Sequence, residues 1–302
     1  MDSDIRLLQV FRVVVDCGGL SASELELGIG RSTISKHISD LETRLGVKLC
    51  NRGRSGFTMT EEGERVLGAA NNLFASIDTF QHQVVEIHQY LSGNLKLAFF
   101  DQTISNPASK LSAAIGKFDD VAPAVSLDIS LEPPNVIEAG VIAGRYDIGI
   151  VPIHKTSSVL GFTELYSENM LLYCGRGHPL FESGDTADIE QKIRTSKYAG
   201  LSFNSPNMIV GQREKLTRSA EVQDEGALAM LILSGRYLGF LPDHMAKTFV
   251  DRGNMLAIGG RTFAYTSRHA AIIRRAPRPS RVLMEFLRCL ASVHGVRVRN
   301  AT

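Results

Sequence analysis

Neither sign of charge dominates this chain: 33 basic residues stand against 32 acidic ones, for a formal net charge of +1. Total charge therefore neither demands nor forbids a polyanionic partner, and only its distribution along the chain is informative. Cysteine is scarce. Cys17, Cys50, Cys174 and Cys289 are far apart, and no pair has metal-ligand or dithiol spacing. Free thiols in a reducing compartment are expected, with a thiol sensor at Cys50 or Cys174 as the alternative. Long hydrophobic runs are missing too. The longest, such as residues 227–233, fall far short of the about 20 apolar residues that a membrane span needs. No membrane partner is expected. The first six residues are acidic and polar, with no apolar stretch behind a basic start, so the expected location is cytoplasmic rather than exported. A Gly-x-Ser-x-Gly elbow, a phosphate loop, a dinucleotide fingerprint and a His-Glu-x-x-His helix are all absent, and the eight histidines are scattered. His154 and His178, in presumed loops, read as surface or structural residues. An enzyme is not expected, nor is a cofactor or a bound metal.

What is present is 302 residues, 44% hydrophobic and 22% charged, enough for two or three domains. Ile5, Leu7, Leu8, Phe11, Val14 and Val15 form an apolar stripe at helical spacing, ended by Gly18-Gly19. Ser21-Ala22-Ser23-Glu24 reads as a capping box, with Ser21 as N-cap and Glu24 reaching back. This second helix is short and stops at Gly28. A third helix is expected over residues 31–45, with Ile34, Ile38, Leu41 and Leu45 inward and Gly46 as a left-handed C-cap. Two helices joined by a short glycine-containing turn make a helix-turn-helix. The second carries Arg31, Ser32, Thr33, Ser35 and Lys36 at its N-terminal end, the end that such motifs turn toward base edges. The bland alternative is the solvated face of a helical hairpin.

The following segment favours DNA. Val47-Lys48-Leu49 predicts a short strand, Asn51-Arg52-Gly53-Arg54-Ser55-Gly56 a basic turn, and Phe57-Thr58-Met59-Thr60 a return strand. Together they make a β-hairpin wing that carries Arg52 and Arg54. Over residues 31–54 there are six basic residues and two acidic ones, although the whole chain is almost neutral. Such clustering suits phosphate contact. The run over residues 21–63 resembles the DNA-binding segment of the LysR-type transcriptional regulators. The resemblance is carried by Ile34-Ser35, Leu41-Glu42, Leu45-Gly46-Val47-Lys48-Leu49, Arg52 and Thr60-Glu61-Glu62-Gly63. The chain departs from that pattern at Gly30-Arg31, where the family has serine then glutamine, at Glu24, where it has alanine, and at Cys50, where it has phenylalanine. The first departure weakens the helix cap.

Val66, Ala70, Leu73, Ile77, Phe80, Val84, Ile87 and Leu91 follow at alternating spacings of four and three, a heptad seam. As one helix, residues 66–91 would extend roughly 38 Å at about 1.5 Å per residue. Leu73, Ile77, Phe80 and Val84 are the expected dimerisation residues, and an intramolecular stalk is the alternative. The resemblance implies a homodimer, and a homotetramer built from dimers.

From residue 92 onward, strands alternate with helices, which predicts a mostly parallel sheet. Strands are expected at residues 94–100, 125–131, 147–151, 169–174, 198–202, 220–223 and 237–241, and helices at 107–118, 134–144, 225–234 and 279–294. This half resembles the family's effector domain, two α/β lobes with the fold of periplasmic binding proteins. The expected domains are a winged helix-turn-helix at 1–60, a linker helix at 61–91 and an effector-sensing domain at 92–302. Within the last, one lobe takes about 92–162 and 267–302, and the other about 163–266. A ligand in such a fold sits at strand carboxyl ends facing helix N-termini. Gln102 and Thr103 after the first strand, and Ser202, Phe203 and Ser205 after a second-lobe strand, are the candidate effector-binding residues. Helix dipoles there favour an anion, whereas Asp101 and Glu132 oppose one.

The expected partners are thus double-stranded operator DNA, a small-molecule effector and a second copy of the chain, and the resemblance admits RNA polymerase as a further one. Two other readings compete. A free-standing solute-binding module leaves the basic wing and the heptads unexplained. A regulator that answers to a protein partner or to thiol oxidation leaves the cleft without a ligand.

Overall fold

The computed structural model describes residues 2–53, 56–86, 91–100, 103–154, 157–182, 188–202 and 206–297, with no side chain described at 2–3, 52–53, 56, 78–79 and 81–86. It forms two compact units, residues 1–80 and 81–302. No helix among the described residues is long and apolar enough to cross a membrane.

The first unit packs α1 (Asp2–Asp16), α2 (Glu24–Leu27), α3 (Arg31–Leu45), β1 (Cys50–Gly53) and β2 (Gly56–Met59) with the start of α4 (Glu61–Glu86). Its core joins Val10, Phe11 and Val14 of α1 to Ile34, Ile38 and Leu41 of α3 and to Leu49. Each such side chain contributes about 1.5–3 kcal/mol through burial. Leu45, expected to face inward, lies on the last turn of α3 and is 44% exposed. The expected capping box does not form. α2 starts after Ser23, which makes no side-chain cap, and the Ser23 hydroxyl donates instead to the Leu20 carbonyl. The wing strand also starts later than expected. The Glu42 carboxylate accepts the Leu49 N–H at 2.8 Å and the Cys50 N–H at 3.3 Å, and the Leu49 carbonyl accepts from Thr60. With Leu49 so engaged, hairpin pairing begins at Cys50, opposite Met59. Thr60 then caps α4, its Oγ1 accepting the Gly63 N–H at 3.0 Å. A Cβ at Gly63 would lie 2.0 Å from the Leu49 carbonyl oxygen, so only glycine fits there.

The second unit holds β3 (Ser92–Phe99), α5 (Leu111–Val121), β4 (Ala124–Leu131), α6 (Pro134–Ala143), β5 (Ile148–Pro152), β6 (Leu160–Gly175), α7 (Ile189–Thr195) and β7 (Tyr198–Leu201). It continues with α8 (Pro206–Arg213), β8 (Arg218–Val222), α9 (Glu225–Leu233), β9 (Gly239–Pro242), α10 (Asp243–Asp251), β10 (Met255–Ala257), β11 (Ala264–Arg274) and α11 (Arg281–His294). The main sheet runs β10-β6-β11-β5-β3-β4, and β9 also pairs with β6. β3 is parallel to β4 and β5, but β6 and β11 are antiparallel to each other and to their other neighbours. The sheet is therefore mixed, not mostly parallel. The cause is the β6–β11 ribbon, which passes through both lobes. Its Leu160–Arg274 end meets the first-lobe strands, and its Met170–Tyr265 end meets β9. Of this ribbon only residues 169–174 were expected as strand.

One first-lobe core buries Leu95, Leu97, Phe118 and Phe286, with the two rings edge to face at 5.3 Å. The second lobe buries Leu172, Tyr198, Phe240 and Phe263. The helix expected from Pro107 starts at Leu111. Asn106 holds the chain in a turn, its Oδ1 accepting the Ala108 N–H at 2.8 Å and its carbonyl accepting from Ser109.

Candidate functional site

In the first unit, α3 begins at Gly30, which has extended backbone and no side chain to cap the helix. The Arg31 N–H donates instead to Glu24 Oε1 at 2.8 Å. The first turn of α3 is thus held by a carboxylate from α2. Arg31, Ser32, Thr33 and Lys36 are exposed on this end, and Ser35 is half-buried. Arg44, one of the six basic residues in the cluster, is paired with Asp4 of α1. That hydrogen bond holds the Asp4 carboxyl below its usual range. Arg52 lies in β1 opposite Phe57, with its side chain outside the described residues, as is all of Arg54.

α4 does not present one uniform seam. Val66 packs on the core of the first unit, Ala70, Phe74 and Ala75 are buried, and Arg12 lies over the Phe74 ring at 4.5 Å. Leu73 and Phe80 are exposed, at 40% and 64%, and Ile77 is half-buried. Val84 belongs to the helix, but its side chain is not described.

In the second unit, a cavity of about 20 Å³ lies where strands from both lobes end. Phe100 just past β3, Pro152 of β5 and Leu201 of β7 form its walls, and Asn207 of α8 and Glu225 of α9 close it. The rest is one face of the ribbon: Glu168 and Met170 of β6 beside Tyr265, Ser267 and His269 of β11. The pairing puts Glu168 opposite Ser267 and Met170 opposite Tyr265, so strand alternation aims all of them the same way. A register shift between His269 and Ala270 bends the ribbon beside the site.

Glu168 is the centre of a buried polar network. Its Oε2 accepts from Asn106 Nδ2 at 2.9 Å and lies 3.1 Å from His244 Nε2. Its Oε1 lies 3.4 Å from His269 Nε2. Asn106 follows β3 and His244 opens α10, so the network ties elements of the two lobes to the ribbon. The Tyr166 ring stacks on His269 at 4.8 Å and 4°. Burial pushes the His269 imidazole below its ordinary value, against the opposing pulls of Glu168 and of a backbone hydrogen bond with Ser267. Burial, reinforced by Glu225 and Glu168 among its neighbours, holds the Tyr265 phenol well above its ordinary value, while Asn207 hydrogen bonds to it.

Of the candidate effector-binding residues, Thr103 is buried, its hydroxyl donating to the Phe100 carbonyl at 2.7 Å. Ser202 is half-buried, and its N–H donates to Val222. Neither lines the cavity, although their neighbours Phe100 and Leu201 do, within one hydrophobic cluster. Gln102, Phe203 and Ser205 lie outside the described residues. A larger cavity, about 140 Å³, is lined by β7, α8, β8 and Leu216 of the loop between the last two, and its Arg218 is tied to the Leu201 carbonyl and to Glu221. Among the described residues no group of acids, histidines or cysteines could hold a metal ion. Cys50 and Cys174 are fully buried, and burial pushes the Cys174 thiol up to about 11, which suppresses the reactive thiolate.

Residues 5–64 match the family described as "Bacterial regulatory helix-turn-helix protein, lysR family", and residues 88–294 match "LysR substrate binding domain". The HTH-type transcriptional activator BauR of Pseudomonas aeruginosa is 36% identical over 290 residues, which cover 96% of this chain and 95% of that protein. The chain belongs to the LysR family. It is a LysR-type transcriptional regulator with a DNA-binding helix-turn-helix domain and an effector-binding domain. The fold agrees. CbnR, described as a LysR family transcriptional regulator, superposes with a TM-score of 0.65 at 17% identity, over 96% of this chain and 99% of that one. Full-length CbnR complexed with its target DNA gives 0.62 at 18% identity, over 95% and 99%.

In this LysR regulator Glu24 has a local structural role. It supplies the acceptor that Gly30 lacks. Sequence reasoning also missed Glu168, Glu225, Ser267 and His269. A signal existed in the alternation Tyr265-x-Ser267-x-His269 and Tyr166-x-Glu168-x-Met170, two polar faces that pair only in the folded ribbon.

Proposed function

We propose that this LysR-type regulator reads operator DNA as a homodimer, through α3 and the β1–β2 wing, and responds to a small molecule held between its lobes. The observation that carries the DNA reading is the exposed N-terminal end of α3, with Arg31, Ser32, Thr33 and Lys36 open to solvent on a helix anchored by Ile34, Ile38 and Leu41. Arg31 and Lys36 are cations of the length that reaches guanine edges or phosphates. Arg52 and Arg54 act at the wing through the backbone or the minor groove. The exposed Leu73 and Phe80, with the half-buried Ile77 between them, support pairing of two copies, and a tetramer built from such dimers is the fuller assembly. The domain bounds we adopt are 1–60, 61–91 and 92–302, the last with lobes at about 92–162 with 267–302 and at about 163–266. We place its action in the cytoplasm, with RNA polymerase as the further partner. For the direction of control we adopt activation, the sense in BauR's name.

Arg31→Ala tests the reading. It should cost about 1–3 kcal/mol on the true operator and relax preference at one base pair. Titrations on operator and on scrambled DNA decide between roles. An equal loss on both reduces Arg31 to a phosphate contact.

A further inference from the structure

The second lobe holds a cavity that the interlobe cleft does not account for. It measures about 140 Å³, and among the described residues none of its lining belongs to the smaller cavity between the lobes. Its inner wall is Tyr198 and Gly200 of β7, Gly211 of α8 and Leu216. Tyr198 is 2% exposed and Leu216 9%. Met208, half-buried, completes the wall, and the exposed Gln212 marks the way out to solvent.

The wall is held open by bonds that its side chains make elsewhere. The Tyr198 hydroxyl donates to Asn207 Oδ1 at 2.6 Å, which fixes the ring. The Arg218 guanidinium donates to the Leu201 carbonyl at 3.1 Å and pairs with Glu221, so it does not fold into the space. A Cβ on Gly211 would come within 3.1 Å of the Tyr198 ring and one on Gly200 within 3.2 Å, closer than ordinary contact. Both positions therefore present bare backbone to the cavity. Asn207 and Leu201 also line the interlobe cavity, so the two cavities share a wall.

The lining selects by charge and by shape. Its one charged group, Arg218, already has Glu221, and an ion brought in without a partner would be costly. Leu216 and the Met208 thioether favour an apolar guest, and a thioether and the Tyr198 ring both gain from contact with an aromatic one. Two glycine backbones leave room for a flat body. As to size, an apolar cavity of about 150 Å³ stays dry and takes up benzene.

We propose that this cavity is a second ligand site, separate from the interlobe cleft, that takes a neutral aromatic ring of about the size of benzene. Substituents on the ring leave past Gln212.

Phenol, cyclohexanol and benzoate, each titrated into the full chain by calorimetry, test this. Phenol should bind at one per chain, about tenfold tighter than cyclohexanol, which is not flat, or benzoate, which is charged. Met208→Trp fills the cavity and should abolish phenol binding, with circular dichroism showing that the chain stays folded. Leu216→Ala enlarges the cavity and should admit naphthol, which the parent rejects. Glu225→Gln alters the interlobe cavity and should leave phenol affinity unchanged. Cyclohexanol or benzoate binding as tightly as phenol overturns the proposal. So does silence toward phenol, phenol binding that survives Met208→Trp, or phenol binding lost in Glu225→Gln. Should Met208→Trp unfold, the gain of naphthol binding in Leu216→Ala decides alone, and its absence overturns the site.

Discussion

The first N–H groups of α3 have no intrahelical acceptor, and Gly30 has no side chain to offer one. Glu24 fills that role at 2.8 Å, seven residues upstream. Removing the acceptor costs what a lost N-cap costs, about 0.5–2 kcal/mol. Glu24→Ala should therefore lower stability in urea titrations by that amount, whereas Glu24→Gln keeps an oxygen in place and loses less. The two variants should also differ on DNA. Gln removes a negative charge beside the phosphates and leaves affinity equal or higher, and Ala lowers it by loosening Arg31. An alanine variant as stable as the parent would show that solvent serves the Arg31 amide equally well.

Three histidines, His178 and His269 buried and His294 half-buried, belong to the same scale. Burial lowers His178, His269 and His294 below the ordinary value of 6.5. His178 shows why. Its Nδ1 accepts the Leu180 N–H at 3.1 Å, a bond that a protonated ring cannot make. A histidine depressed in the folded state binds fewer protons there than in the unfolded chain, so its contribution is present above pH 6.5 and lost as pH falls below it. The melting temperature should drop between pH 7 and pH 5, and His178→Gln should make that drop shallower. A flat profile over this range would mean that the rings take up protons without loss.

At the scale of elements, α4 is one helix with two different faces. Ala70, Phe74 and Ala75 are buried, with Arg12 of α1 over the Phe74 ring, whereas Leu73 and Phe80 stay open. Such exposed apolar side chains gain about 25 cal/mol for each Å² that a second copy covers. Ile77→Asp with Phe80→Asp would place like charges in that seam, where unpaired charges are strongly disfavoured. The double variant should be monomeric by light scattering, should keep both units folded by circular dichroism, and should lose operator affinity because a single half-site binds weakly. If it remains a dimer and binds DNA normally, α4 is only a stalk.

At the scale of the whole molecule, a dimer carries two α3 helices and must place them on half-sites with a fixed helical phase. Inserting about half a turn of DNA between half-sites should weaken binding sharply, and a full turn of roughly 10 base pairs should restore part of it. Gel-shift titrations on the two spacings, compared with one half-site alone, test this. Equal affinity for all three would mean that one copy suffices. How far the sequence leads depends on whether each element's cues are local. The helices α1, α3, α6 and α11 were legible because apolar spacing and glycine caps lie within one segment, as Gly46, Gly144 and Gly295 show. The exposed polar end of α3 was legible for the same reason, since one helix end carries it. The β6–β11 ribbon was not. Its strands present a polar face to the cleft, and the register shift after His269 breaks the two-residue period, so neither strand looks hydrophobic on its own. The substitute cap at Glu24 and the meeting of Asn106, Glu168, His244 and His269 likewise depend on residues far apart in the chain. The amino-acid sequence by itself determined the helix-turn-helix, a hairpin and a long helix after it, and the family, because these rest on short-range periodicity and charge. Only the tertiary structure decided which polar groups are buried together, because that burial arises when distant segments exclude water between them.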